Sequence, residues 1–322
     1  MRKNLPRMAL GKLCGWFGIT RQAYYQNGKQ SVHRVLKEDL ILREICRIRH
    51  LHPRMGTRKL HGKLMSFLET HDMKMGRDKL FDLLSSNHLL VRRRRRTVRT
   101  TNSCHWLRKY PNLTKEFVPS APHQLWVSDI TYWRIEQDRH VYISFITDAY
   151  SHKIVGHHVA DTLEAVESVQ ALQMALSSLD EESHLQLVHH SDRGLQYCSH
   201  EYVRLLRANN IKISMTEGGD PLDNAVAERI NGIIKGEYLE NYKVSNIKQA
   251  QDLLNNVVDL YNTERPHMSI SNLTPEYVHQ SSQSLKTERK WKNYYKKKHR
   301  FVNLWQDLKV PENPYQDLLT NL

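Results

Sequence analysis

The stretch DNAVAERINGIIKGE, residues 223–237, carries polar side chains spaced for chemistry. If 220–236 is helical, Asn224, Glu228, Asn231 and Lys235 fall within an arc of about 60°. Leu222, Val226, Ile230 and Ile233 take the opposite side and suit a core. Such a stripe also suits the wet face of an ordinary amphipathic helix, so its meaning depends on partners elsewhere. Two further carboxylates are candidates: Asp129 in WVSDITYW and Asp192 in HHSDRGLQY. Three clustered carboxylates resist ionising together, and a divalent cation removes that cost. An all-oxygen set suits hard Mg2+. Two such ions about 4 Å apart suit in-line phosphoryl displacement, one at the attacking water or hydroxyl and one at the leaving oxygen. The 35 residues between Asp192 and Glu228 are weak evidence by themselves, since 121–280 holds 22 Asp and Glu.

The elements that must position these groups follow from periodicity. LWVSDITYW (125–133), HVYISFITD (140–148) and KIVGHHVA (153–160) read as strands, joined by connectors short enough for antiparallel hairpins. Thr162–Leu176 is predicted helical, with Leu163, Val166, Val169 and Leu172 recurring. LQLVHHSD (185–192) is a fourth strand, Ser199 caps a helix through Ala208, and IKISMT (211–216) is a fifth strand. The helix of the polar stripe follows, then another over Ile247–Tyr261. This β-β-β-α-β-α-β-α order is that of an RNase H-like α/β fold: a five-stranded mixed sheet flanked by helices. In that fold the first strand is central and the fourth lies parallel beside it. Asp129, Asp192 and Glu228 then converge at one edge.

With those contexts in place, the chain resembles the DDE(K) insertion-sequence transposases of the two-reading-frame kind, related to retroviral integrases. It is similar to the second-frame catalytic subunit of the large family numbered three among insertion sequences. WVSDITYW resembles the family's first-aspartate strand, HSDRGLQY its second-aspartate loop and DNAVAERINGIIKGE its glutamate-and-lysine helix. YNTERPHMSISNLTPEY (261–277) resembles its closing motif, and RMGTRKLHGKL its helical region ahead of the core. The resemblance implies strand cutting and joining at the element's terminal inverted repeats. Asp129, Asp192 and Glu228 would be ligands to two Mg2+ ions, with Mn2+ able to substitute, and Lys235 would contact DNA near the cut. It also implies an excised-circle route and an upstream-frame partner protein. Asn224 and Asn231 are expected to meet DNA or to orient Glu228, and Arg193 to touch DNA or shape its turn.

Charge distribution fits polyanion binding. Residues 1–120 carry net +19, residues 121–280 net −10 and residues 281–322 net +5. Residues 6–27 read as a helix, a turn at Gly18 and a second helix capped by Thr20 and running through Tyr25. That is a helix-turn-helix pattern exposing Arg21 and Gln22, or a plain helical hairpin. Three further helices are expected at Leu40–His50, Thr57–Leu68 and Arg77–Asn87, with Arg58 and Lys59 among their basic residues. The run Arg92, Arg93, Arg94, Arg95 and Arg96 is expected to be a linker that tracks DNA phosphates. The tail KTERKWKNYYKKKHR (286–300) interleaves Trp291, Tyr294 and Tyr295 with basic residues. The organisation read here is 1–35 helix-turn-helix-like, 36–91 helical and DNA-binding, 92–122 basic linker, 123–280 catalytic core and 281–322 basic tail.

Other chemistries fit less well. His189-His190 needs a tyrosine nucleophile to serve as a nicking site; His190 is expected to flank the metal site and His189 to pack in its strand. Tyr150 and Tyr197 lack the Arg/His set of a tyrosine recombinase, and Asp148 reads as a turn residue. Cys14, Cys46, Cys104 and Cys198 form neither a Cys-x-x-Cys pair nor zinc-finger spacing, and are expected to be reduced thiols. No 18-residue apolar run and no clean signal peptide are seen, so the expected location is cytoplasmic, on the bacterial nucleoid. The expected partners are double-stranded DNA and further copies of the chain. The rival reading is an inactive, transposase-derived DNA-binding protein or repressor.

Overall fold

The computed structural model describes residues 8–91, 105–115, 117–179, 186–217 and 224–281. Two compact units divide between Arg95 and Arg96. The arginine run Arg92–Arg96 and the tail 281–322 beyond Ser281 lie outside the described residues.

The first unit is all helical. Helix α1 (Leu10–Trp16) buries Leu10, Leu13 and Cys14. Gly18 follows at φ +65°, a left-handed turn conformation that glycine adopts without Cβ strain. Thr20 then caps α2, its hydroxyl accepting the Ala23 amide at 3.0 Å. The first helix, the turn at Gly18 and the Thr20 cap are as expected, but α2 does not stop at Tyr25. It runs unbroken from Arg21 to Leu51, across the boundary placed at 35/36 and through the separate helix expected at Leu40–His50. The intervening residues contain no proline, and ion pairs such as Arg34–Glu38 and Asp39–Arg43 support the exposed turns. Ile41, Ile45 and Ile48 of α2 pack with Leu60, Leu64 and Leu68 of α3 (Thr57–Thr70). Leu80, Leu83 and Leu84 of α4 (Arg77–Ser86) close this core.

The second unit is built on a five-stranded sheet of order β3-β2-β1-β4-β5. The strands are β1 (Leu125–Arg134), β2 (His140–Asp148), β3 (Ile154–Ala160), β4 (Val188–Ser191) and β5 (Lys212–Met215). β1–β2 and β2–β3 pair antiparallel, while β1–β4 and β4–β5 pair parallel. One face packs α5 (Ala165–Leu176) with the short α6 (Leu195–Cys198) and α7 (His200–Ala208) around Trp126, Leu172, Tyr202 and Leu206. Gly156 permits that contact, since a Cβ there would sit 2.2 Å from the Ala171 carbonyl oxygen. The other face carries α8 (Ala225–Ile233) and α9 (Ile247–Thr263) over Ile143, Phe145, Ile230, Leu254 and Tyr261. Helix α10 (Pro275–Gln280) follows. The chain has the RNase H-like fold, as expected: three antiparallel strands, two parallel additions, helices on both faces.

Candidate active site

The register of the central strands brings the two aspartates together. In the β1–β4 ladder Val127 faces His190 and Ser128 faces Ser191. One further step sets Asp129 beside Asp192, on strands about 4.8 Å apart. Helix α8 is tied across β1 by two amides. Asn224 donates its Nδ2 to the Ser128 carbonyl oxygen at 2.8 Å, and Asn231 donates its Nδ2 to Asp129 Oδ2 at 2.8 Å. Glu228 lies one turn from each asparagine on that face, and its side chain is exposed. The asparagines themselves are buried, and their Nδ2 groups are fastened to the strand. Their amides meet backbone and carboxylate acceptors that the linear sequence does not reveal. The helix expected from 220 is seen from Ala225; Leu222 lies outside the described residues.

Electrostatics register the same convergence. The half-buried carboxyl of Asp129 is pushed up to about 8, chiefly by burial and then by the negative charge of Asp192. Glu228 adds to the rise, while the Ile130 amide and Asn231 oppose it. Asp192 turns its own loop, Oδ1 accepting the Gly194 amide at 2.9 Å. Among the described residues, no three His, Cys, Asp or Glu side chains are close enough to hold a metal ion. The donor chemistry nevertheless fits one. The groups are hard oxygens whose repulsion a divalent cation would relieve. Asn224 Oδ1 and Asn231 Oδ1 are also buried without a hydrogen-bond partner, able to accept from a hydrated cation's water.

Integrase core domain models match residues 119–221 and 209–275. The insertion element IS600 uncharacterized 31 kDa protein of Shigella sonnei is 32% identical over 267 residues, spanning 82% of this chain and 96% of that protein. This chain belongs to the insertion-sequence transposases with an integrase core. The transposase for insertion sequence element IS629 of Shigella sonnei is 31% identical over 270 residues, 82% of this chain and 88% of that one. Transposase InsF for insertion sequence IS3A of Escherichia coli is 32% identical over 166 residues, half of this chain. Among solved structures, the HTLV-2 integrase catalytic core domain in complex with magnesium aligns with TM-score 0.39 and 20% identity over 49% of this chain and 97% of that one. The transposase is thus a polynucleotidyl transferase of the transposase and integrase kind.

Around the carboxylates the transposase has further built features. The last turn of the stripe helix widens into a π-helical segment, Ile234–Tyr238, so Lys235 does not simply repeat two α-turns beyond Glu228. Lys235 Nζ instead sits over the Tyr132 ring of β1, 3.7 Å from its centroid. The same segment is anchored by Glu237, whose carboxylate takes two bonds, 2.8 and 2.7 Å, from Arg265. Arg265 is buried, and Glu237 holds its guanidinium charged against the cost of burial. Neither partner was picked out from sequence, although Arg265 lies in the closing motif. His279, two residues beyond that motif, bonds Ser151 and His123, which with the buried Asp148 fix α10 to the sheet.

Several remaining candidates have structural places. His189 is buried between Ser128 Oγ (2.7 Å) and Tyr202 Oη (2.9 Å), and burial lowers it to about 3. His190, expected to flank the metal site, is also buried, against Ser214 Oγ at 2.8 Å. Tyr150 and Tyr197 are buried, and burial holds the Tyr197 phenol well above its usual range, unlike a nucleophile. Arg21, Gln22 and Arg58 are exposed on the first unit, Lys59 partly so. Arg193 is half-buried, its carbonyl accepting from His105 at 2.7 Å. Cys14, Cys46 and Cys198 are free thiols. No helix among the described residues is long and apolar enough to cross a membrane.

Proposed function

We propose that this transposase cleaves DNA strands at the terminal inverted repeats of its insertion sequence and joins the freed 3′-hydroxyl to a new phosphodiester. One observation carries the reading: the β1–β4 register sets Asp129 beside Asp192, while two asparagine bonds lay α8 along the same edge with Glu228 between them. These three carboxylates hold the divalent ions, two Mg2+ by preference or Mn2+ in their place. When bound, the ions supply positive charge at the attacking and leaving oxygens. The chain's own contributions are orientation and charge. Asn231 fixes Asp129 Oδ2, leaving the carboxylate plane set before substrate arrives. Without a cation, the Asp129 carboxyl holds a proton at neutral pH. Lys235, braced on Tyr132, meets a phosphate beside the cut.

DNA capture belongs to the basic parts. Arg21 and Gln22 read the inverted repeat from the start of α2; Arg58, Lys59 and the run Arg92–Arg96 hold phosphates, and Arg193 holds one near the cut. Affinity should therefore fall steeply with salt. Two element ends must be joined, so the working form is a homo-oligomer on DNA, with the upstream-frame protein as a further partner. The test is to incubate the purified chain with labelled duplex from the element's flanks and Mg2+, beside Glu228→Gln. Joined products that vanish in the variant support the reading. Binding without cleavage, even with Mn2+ and the upstream-frame protein, would replace it with a DNA-binding repressor.

A further inference from the structure

Trp106 is 85% exposed, far more than any other large apolar residue described. Leaving an indole in water is costly, and here the backbone beneath it is firmly built. His105 donates Nε2–H to the Arg193 carbonyl oxygen at 2.7 Å, one residue beyond Asp192. Leu107 and Tyr110 pack on the core under α5 and α7. The segment continues along the sheet edge, where the Leu113 amide donates to Ser214 Oγ at 2.8 Å and the Met215 amide to the Pro111 carbonyl oxygen at 3.3 Å. Burial alternates, with His105 and Leu107 half-buried and Trp106 and Arg108 exposed. The outward face is cationic. Arg108 and Lys109 are exposed, and Arg108 and Arg207 both lie against the Tyr110 ring, at 5.4 and 5.9 Å. The charges of Asp192, Lys109 and Arg193 all reach Cys198, so these three groups share one neighbourhood.

An exposed indole among cations beside an acidic loop has a defined complement. It needs a flat aromatic ligand that carries negative charge on its own scaffold, which is a nucleotide base on a phosphate backbone. Bases inside a paired duplex have both faces covered; an unpaired or splayed base frees a face that a single indole can cover. We propose that Trp106 is a stacking platform for an unpaired DNA base at the strand end delivered to the Asp192 loop, with Arg108 and Lys109 holding the flanking phosphates. This rests on the strand-cutting reading above and adds to it a site for the frayed end. Stacking of this kind tolerates any base, so the contact grips the end without reading its sequence.

The experiment measures affinity for two duplexes of equal length, one blunt and one ending in two unpaired nucleotides, with 2-aminopurine at the unpaired position. Trp106→Ala should weaken binding to the frayed duplex by about 5- to 150-fold, the worth of one base–aromatic stack. Blunt-duplex affinity should stay within about twofold, since phosphate contacts are untouched. Trp106→Phe should retain the preference, and 2-aminopurine emission should be quenched by the wild type and Trp106→Phe but not by Trp106→Ala. An unchanged ratio of frayed to blunt affinity in Trp106→Ala overturns the platform while leaving the strand-cutting reading in place. Failure of the wild type to bind either duplex overturns both.

Discussion

Asp129→Asn should make the transposase more stable and inactive at once. The Asp129 carboxyl sits at about 8 in the folded chain against 3.8 as its unperturbed value. A carboxyl raised on folding is harder to ionise in the native state, so the unfolded chain releases its proton first as pH rises. Stability is therefore undiminished below about pH 4, falls through the window between 3.8 and 8, and levels off above it. At pH 7 the part of the shift lying between 3.8 and 7 corresponds to about 4 kcal/mol of destabilisation. Asp129 is half-buried on the central strand, and solvent screening there leaves about 2 kcal/mol as the expected gain on removal. For a unit of this size that is a rise in Tm of about 4–8 °C. Thermal unfolding of both proteins in chelator, at pH 4.0 and pH 7.5, reads the difference. It should be present at pH 7.5 and absent at pH 4.0. Mg2+ should then raise the Tm of the wild type and leave Asp129→Asn unmoved, because only the wild type offers the ion its carboxylate. Equal Tm values at pH 7.5, or the same difference at both pH values, would refute the clustering of charge argued here.

Three other outcomes follow from the packing around the site. Arg265→Ala should cost about 3–5 kcal/mol in urea unfolding, because Glu237 would keep a partly buried charge without its bidentate partner; Arg265→Lys should rescue poorly, lacking the fork. Tyr132→Leu should lower strand-joining rate and DNA affinity by about 2- to 30-fold with little change in Tm, and Tyr132→Phe should restore both, as a cation over a ring face requires. Acid should unfold the core through His189: held to about 3 by burial, it stays neutral while the unfolded chain protonates near 6.5, so stability present above 6.5 is lost as pH falls toward 3. By pH 4 the loss is about 3 kcal/mol, and His189→Gln should flatten that slope in an unfolding titration.

Much of this arrangement was legible in the amino-acid sequence because it depends on period. β1 and β2 alternate or run apolar between clear turns, and α9 repeats Ala250, Leu254, Val257, Val258 and Tyr261 at helical spacing. Once β1 and β4 are neighbours, the proximity of Asp129 and Asp192 follows without further information. What escaped was decided by tertiary partners. Asn224 and Asn231 are expected from sequence to meet DNA or orient Glu228 because their acceptors, the Ser128 carbonyl and Asp129, lie about a hundred residues away. The long α2 was read as two helices because its middle, QNGKQSVHRV, has weak apolar periodicity; the absence of proline lets the backbone bonds continue regardless. The Arg265–Glu237 pair has no local signature, since its partners lie 28 residues apart, one in the π-helical segment and one just beyond α9. Trp106 has no local signature within a basic linker; the anchoring of His105, Leu107 and Tyr110 on the core gives it a place.

Whether Asp129, Asp192 and Glu228 form one cation-holding site is read by counting bound Mn2+ by electron paramagnetic resonance, with the full chain on DNA. Two ions per active core are predicted for the wild type, with one or both lost in each of Asp129→Asn, Asp192→Asn and Glu228→Gln. Unchanged occupancy in any of the three variants would contradict it.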